Sequence, residues 1–476
     1  MAGVPQHNPV LRDMRCGRPS RLQLTLGLVL LALAQTLAQQ ALAQGDSAGA
    51  ARIAASPMPS PAGQAESLPA LLARALPTEP QVRVARSLLE AVGERRIQAR
   101  SRLGPSVGVS ITRGQAAETE FNRPVDRRTE RAEAQLRWNL YNLGNDAAEV
   151  QAVAIDELAA VEEVRRAQEE AAERIGNAYL ELLRIESVLP YAAERLLAVQ
   201  RLVLQVRLQN ESGKLSDAEA QQAEASLLDA EIVFQELVSD QAGARRRLAV
   251  LTGAAAADEM RPVVPVALPP ANPRESVADL MQPGGPGLVV AAQERARAAR
   301  QRVRPLASLL APRVDLEIRN QLSNRTSPQL TTEQQHSWLV TARWDFPVGG
   351  ELQSRQAEAE RRAEAAEAEA VRLASGVSAE LAALGPRIAE IENTIARLDR
   401  QIEQYSVLVR AGELQFEAGR RTVAQLIQLR DSRFNTQQRR AEQASRLQSA
   451  RLRQLVLGGS LLPSLGLSAL VPLPPS

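Results

Sequence analysis

The sequence predicts a mostly helical chain of mixed α and β class, built from one unit used twice with two strands in each unit. Three observations carry this. Residue pairs recur at one fixed offset, two stretches in each half alternate apolar and polar residues, and a much longer helical stretch follows each strand pair.

The offset is 206 residues. Arg137-Trp138 recurs as Arg343-Trp344, Gly144 as Gly350, Glu211-Ser212-Gly213 as Glu417-Ala418-Gly419, Leu251 as Leu457, Gly253 as Gly459 and Pro80 as Pro286. One constant shift over this span marks an internal duplication. The first repeat is read as 67–253, a linker or equatorial segment as 254–275, the second repeat as 276–459, and a C-terminal tail as 460–476. The join around 262–286 is rich in proline and glycine, as linkers are.

Each copy opens on a helical segment, about 79–103 and 286–308, that precedes Pro105 or Pro312. Strands are then expected at 105–113 and 131–141, and again at 313–320 and 336–346. Val107, Val109 and Ile111 alternate with small polar residues, and Leu136, Trp138 and Leu140 alternate with Gln135, Arg137 and Asn139. In the second copy Val314, Leu316 and Ile318 alternate with Arg313, Asp315, Glu317 and Arg319. About 9–11 residues is the length of a tilted membrane strand. Trp138, Tyr141, Trp344 and Phe346 gather at one strand end, where an aromatic girdle belongs. The opposite faces carry Arg137, Asp315, Glu317, Arg319 and Arg343, the side chains a water-filled lumen requires. The alternative is a soluble sandwich with the apolar face as its core. Four strands cannot close a barrel, so a membrane reading demands association of copies. Two copies would make a barrel of about eight strands filled by its own side chains, and three would leave a pore.

The stretches from Gly144 to Ser212 and from Gly350 to Ala418 have helical composition and correspond to rods of roughly 100 Å each. Pro190 is expected to kink the first, and Gly385-Pro386 to break the second. The return legs, 215–251 and 422–457, are only about 55 Å long. Stacking 286–308 on the first and 79–103 on the second nearly makes up the difference. An ordinary long coiled coil is the alternative, but it leaves the strands unexplained. Gly213 and Gly419 fall where the rods reverse, and a helix end commonly needs a left-handed residue there.

Residues 1–43 read as a signal peptide: Arg12, Arg15, Arg18 and Arg21, then an apolar run, then Ala41-Leu42-Ala43. Residues 44–66 read as a flexible segment. The only cysteine, Cys16, lies in that leader, which leaves the mature chain without disulfides, thiolate metal sites or a lipid-anchor cysteine. A net charge of +2 from 57 basic and 55 acidic residues gives no nucleic-acid footprint. Beyond residue 43 no stretch is apolar enough for a membrane helix, so a membrane location requires a β-barrel. Only 3% of the residues are aromatic and much of the apolar fraction is alanine, which suits long helices packed through small side chains.

Catalytic chemistry is not expected. Gly45-Asp46-Ser47-Ala48-Gly49 fits a hydrolase elbow pattern, but it follows the leader in an Ala/Ser/Pro stretch with no strand before it. His336 is the one histidine after the leader and begins a predicted strand. No Cys/His cluster, phosphate loop or calcium loop is present, so no metal or cofactor is expected.

The order and lengths of these segments resemble the TolC family of outer-membrane factors over almost all of the chain after the leader. The resemblance is carried by Pro80 and Pro105, the strand end from Trp138 to Gly144, the turn Phe416-Glu417-Ala418-Gly419-Arg420-Arg421-Thr422, and above all by the doubled unit. It implies a homotrimer with a twelve-strand barrel in outer-membrane lipid, continued by a periplasmic helical tunnel. It also implies docking on a periplasmic adaptor and an inner-membrane transporter, in type I secretion or multidrug efflux. Family positions counted from the tip glycines place a gate at Gly213, Asp217, Glu219, Phe416, Gly419 and Arg421, with Arg421 expected to pair with Glu219 or Asp217. Where the family often carries acidic rings at the tunnel entrance, this chain has Gln425 and Gln428, with Asp431 as a partial substitute. The missing lipid-anchor cysteine and the F-x-x-G-x-R-T turn look more like the secretion branch. A periplasmic coiled-coil adaptor remains the alternative of a different class.

Overall fold

The computed structural model describes residues 67–120, 123–253, 268–269, 276–282, 284–304, 312–326, 335–344 and 349–467. The leader, the 44–66 segment with its elbow pattern, most of the 254–275 linker and Phe346 lie outside the described residues.

The order of elements is α1 (Leu68–Ala75), α2 (Pro80–Ser101), β1 (Ser106–Glu120), β2 (Arg123–Tyr141), α3 (Asn145–Glu211), α4 (Asp217–Thr252), α5 (Val277–Leu280), α6 (Gly287–Val303), β3 (Arg313–Thr326), β4 (Gln335–Arg343), α7 (Glu351–Glu417), α8 (Val423–Leu457) and α9 (Leu461–Ser464). Helices α3 and α7 are each 67 residues long and start and stop at the same shift of 206. Gly144 and Gly350, Gly213 and Gly419, and Gly253 and Gly459 all have positive φ, between 66° and 78°. The duplication is therefore visible in backbone conformation: each pair marks a helix boundary where a Cβ would be strained.

The four strands form one antiparallel sheet in the order β1-β2-β3-β4, so the β2–β3 pairing joins the two repeats. β1 and β2 extend past the expected bounds, pairing from Ser106↔Arg137 out to Glu120↔Arg123. Segment 114–130 lacks apolar alternation because backbone pairing needs no apolar side chains.

Below the sheet, α6 and α8 lie along both rods, whereas α2 and α4 lie along α3. The expected stacking partners are exchanged. The end of α4 abuts the start of α2, with Gly253 beside Thr78. The end of α8 abuts the start of α6, where a Cβ on Gly459 would stand 2.7 Å from the carbonyl oxygen of Gly285. The length sum is identical for either pairing, so only the packed core distinguishes them. Leu248 and Ala249 of α4 share a cluster with Val82 of α2, and Leu457 of α8 shares one with Val289 of α6.

Helix α7 runs unbroken through Gly385-Pro386, and α3 through Pro190. A proline removes one amide donor, and the flanking bonds of so long a helix carry it across. The expected tail also contains structure: Leu461 and Leu462 of α9 are fully buried. They join Leu68, Leu71 and Leu72 of α1, Tyr179 and Leu180 of α3, and Leu452 of α8 in a mid-height hub. Close helix approach here depends on Gly287, where a Cβ would meet Glu162 O at 2.7 Å and Arg166 N at 3.0 Å.

Charge divides the helices in a complementary way. Each rod carries 13 acidic residues, against seven arginines in α3 and eight in α7. Between them lie α6, with four arginines and one acid, and α8, with seven and two. Ion pairs follow this division: Arg295–Glu163 at 3.0 Å, Arg300–Glu367 at 2.7 Å, Arg451–Glu392 at 2.6 Å, and Arg453 to both Glu173 and Glu380. Most are partly exposed, so each is worth about 1 kcal/mol or less.

Candidate functional site: the sheet faces and the helical tips

Pairing across the sheet separates two faces. Val107↔Leu136, Leu136↔Ile318 and Ile318↔Trp338 lie in one row, and Trp138↔Leu316 and Leu316↔Val340 in the next. These side chains are largely exposed, with Val107 at 71%, Val109 at 69% and Trp338 at 74%. An apolar sheet face of this size that covers no core of its own fits lipid contact. A soluble sandwich would bury it.

The opposite face is charged and internally compensated. Arg319 contacts Glu317 at 2.8 Å and Glu133 at 3.8 Å, Arg137 contacts Glu317 at 3.5 Å, and Arg313 contacts Asp315 at 3.1 Å. Gln135 also donates to Glu317. Of the five expected lumen residues the structure brings together Arg137, Glu317 and Arg319; Asp315 pairs with Arg313, and Arg343 lies opposite Arg313 in register. Glu133 and Gln135 fall on the same polar side of the β2 alternation as Arg137, and the β2–β3 register brings them into this network.

Trp138, Tyr141 and Trp344 are exposed by 39%, 50% and 57% at the helix-side end of the sheet. The Trp138 indole N–H donates to the Leu103 carbonyl at 3.0 Å, which ties the α2–β1 connection to the strand end. His336 is exposed on β4 opposite Asn320.

At the other extreme the rods reverse in two near-identical turns. Gly213 N–H donates to Asn210 O and Lys214 N–H to Gln209 O; Gly419 N–H donates to Phe416 O and Arg420 N–H to Gln415 O. Both are Schellman closures around a left-handed glycine. The next helices start differently. Ser216 and Glu219 form a reciprocal capping box, whereas Thr422 accepts from Gln425 N–H. Phe416 is 4% exposed, packed with Val203, Val206, Val423 and Leu426 in a cluster that joins the tips.

The chain does not bring Arg421 together with either expected carboxylate. Asp217 accepts from the Asn210 amide at 2.9 Å, and Glu219 is held by Ser216. The Arg421 guanidinium instead lies over Gly412, where a Cβ would come within 2.8 Å of Nη1. Asp431 is engaged as well. Its Oδ1 accepts from Arg195 Nε at 2.9 Å, while Arg195 Nη2 donates to Asp229 at 2.6 Å. Arg195 went unnoticed in the sequence because an arginine in a long helix carries no signal of burial. Gln428 is exposed.

Among the described residues no group of His, Cys, Asp and Glu could hold a metal ion, and no helix is long and apolar enough to cross a membrane.

The sequence model of the outer membrane efflux protein family matches residues 71–254. No curated protein matches. Among solved structures the chain is similar to the outer membrane protein VceC of Vibrio cholerae, with 19% identity, TM-score 0.71, and 83% of this chain and 96% of that one covered. It is similar to the CmeC outer membrane channel of Campylobacter jejuni at 12% identity and TM-score 0.70, covering 83% and 86%. The open state of the MtrE outer membrane channel of Neisseria gonorrhoeae gives 16% identity and TM-score 0.67, covering 83% and 89%.

Proposed function

We propose, from the premise that residues 71–254 belong to the outer membrane efflux protein family and that the chain has the TolC-like channel fold, that three copies close into a passive exit duct. The chain is an outer-membrane protein with a large periplasmic helical part. The observation that carries the duct reading is the sheet: four strands with open edges at β1 and β4, one apolar face and one charged face, above two rods of roughly 100 Å. Open edges are liabilities unless another copy pairs with them, and head-to-tail pairing of β4 with the next β1 closes a ring. Three copies of four strands leave a lumen, and the compensated charges of Glu133, Glu317, Arg137 and Arg319 would line it.

The duct carries no chemistry of its own and is not an enzyme. Cargo is chosen by a periplasmic adaptor and an inner-membrane transporter. Type I protein secretion is the reading favoured by the absent anchor cysteine and the tip turn; the alternative, the outer-membrane part of an efflux pump, is favoured by the matching family's description as an efflux protein. Within one copy Asp217 and Glu219 are engaged locally, so an Arg421 latch would have to form between copies.

Purified protein in planar bilayers tests the duct. Heat-modifiable trimers with discrete conductance steps are expected, and a soluble periplasmic protein that passes no current would end the reading. Arg421→Ala is expected to raise the open fraction by roughly tenfold, as loss of one charge-assisted link allows. An unchanged open fraction would remove Arg421 from the gate.

A further inference from the structure

The two rims of the sheet carry different chemistry. At the helix-side rim stand Trp138, Tyr141 and Trp344, all exposed. The far rim has no tryptophan, tyrosine or phenylalanine among the described residues. Alternation fixes what lies there instead. In β1 the apolar face runs through Val107, Val109 and Ile111, and its next two members are Arg113 and Gln115. In β2 the same face runs outward through Trp138, Leu136, Ala134 and Ala132, then Glu130 and Arg128. Register carries the row across the sheet: Arg113 pairs with Glu130, and Glu130 with Arg325 of β3. Gln115 pairs with Arg128 in the row beyond. The first two rows past Ile111 therefore hold three arginines and one glutamate, and Asp126 enters only in the row after.

The height of this row matches the edge of a hydrocarbon layer. Glu130 lies eight residues from Trp138 and eleven from Tyr141 along β2. With about 3.3 Å per residue and a strand tilt near 40°, that is roughly 20–28 Å. The lipid-facing band of a membrane barrel is about 25 Å tall. Arg113 is thus the first side chain beyond the band on β1, and it is 84% exposed. It meets Glu130 at 3.2 Å, but that carboxylate is itself 47% exposed, so the contact is weak and a phosphate can replace it. The helical part marks the periplasmic side, which puts the arginine rim at the cell exterior and the aromatic rim at the periplasm. Aromatic rings suit an ordinary phospholipid interface. Clustered guanidiniums suit one dense in phosphate, where each fork takes two oxygens at once.

We propose that the sheet face around Arg113, Arg128 and Arg325 is a docking surface for the phosphate groups of an outer-leaflet glycolipid, and that this contact fixes the depth of the barrel. The inference rests on the duct reading, because three copies set these arginines around one belt. It goes beyond that reading, since a duct needs an apolar belt but not a phosphate-binding one. The charges are complementary: anionic headgroups meet a rim with a surplus of arginine. Arginine here takes the place of the divalent cations that otherwise bridge neighbouring lipid phosphates, so the contact survives chelation.

The full-length trimer is titrated in detergent, with a chelator present, against bisphosphorylated lipid A, the same lipid stripped of phosphate, and inorganic phosphate. Bound lipid is counted by native mass spectrometry, and thermal dissociation of the trimer is followed alongside. Binding and a raised dissociation temperature are expected with the phosphorylated lipid alone. Arg113→Gln, Arg128→Gln and Arg325→Gln should each weaken the apparent affinity by about fivefold, and the triple variant by on the order of 100-fold. Arg131→Gln removes the same charge from the opposite face at the same level and should bind like wild type. The proposal is overturned by equal binding of the dephosphorylated lipid, by an equal rise with inorganic phosphate, or by a triple variant that binds like wild type. A loss with Arg131→Gln as large as with Arg113→Gln overturns it too. If the triple variant gives no trimer, Arg113→Gln decides, and unchanged affinity there overturns the proposal equally. A wild type that forms conducting trimers yet ignores the phosphorylated lipid sinks this inference alone, whereas one that forms no trimer sinks the duct reading with it.

Discussion

The mid-height hub and the tip share α3, α4 and α8, yet they hold together by different means. In the hub α1, α3, α4, α8 and α9 bury leucines and Tyr179 completely, and glycine lets α6 touch the backbone of α3. Near the tip a smaller apolar cluster is backed by arginine ties and an open cleft. Apolar burial is non-directional and lost only when a whole interface opens, whereas an ion pair can exchange one partner for water. The hub is therefore the fixed part of the helical bundle and the tip the part more easily loosened.

The sharpest way to break that contrast is to empty the hub. Leu72→Ala deletes a fully buried side chain of α1, and a loss of about 2–5 kcal/mol is expected, read from thermal unfolding of the detergent-solubilised protein. An unchanged melting temperature would mean that α1 is not part of the fixed core.

Glu169 is the polar flaw at the edge of the hub. It is 3% exposed and its Oε1 has no hydrogen-bond partner. Burial pushes its carboxyl up to about 8; Arg165 pulls it down, and Glu162 and Glu170 push it further up. The folded chain keeps that proton up to about pH 8 while an unfolded chain releases it near the ordinary carboxylate value, so stability falls as pH rises through that window. Glu169→Gln should match wild type near pH 4 and exceed it at pH 8–9, by on the order of 2–4 kcal/mol. A pH-independent difference between the two proteins would show that Glu169 does not hold its proton in the folded state.

At the tip the expected effect is smaller and local. Ser216→Ala removes the capping box of α4 and should cost about 1 kcal/mol. It should appear as faster amide exchange in the first turn of α4, with no change in the hub. A shift in global melting would tie the tip to the hub more firmly than their packing indicates.

Trp138, Gly144 and Gly213 with their partners 206 residues on carry the doubled unit in the sequence, and Val107, Val109 and Ile111 carry the apolar sheet face by simple alternation. Rod lengths followed from 1.5 Å of rise per residue. Those readings work because periodicity, chain length and the left-handed demand on a turn glycine are local properties. The charged row of the sheet was legible in Arg137, Glu317 and Arg319 by alternation, whereas the contact of Arg319 with Glu133 depends on strand register.

By itself, then, the sequence determined the strands, the long rods and their return legs, their order, their duplication and the two faces of the sheet. The tertiary structure decided that α2 stacks on α4 and α6 on α8, that α9 closes the hub, and that Asp431 belongs to Arg195. Stacking the short helices either way gives the same length, and any exposed-looking arginine on a long helix can reach several carboxylates. Which one it meets is set by how helices distant in sequence pack, and no local pattern encodes that.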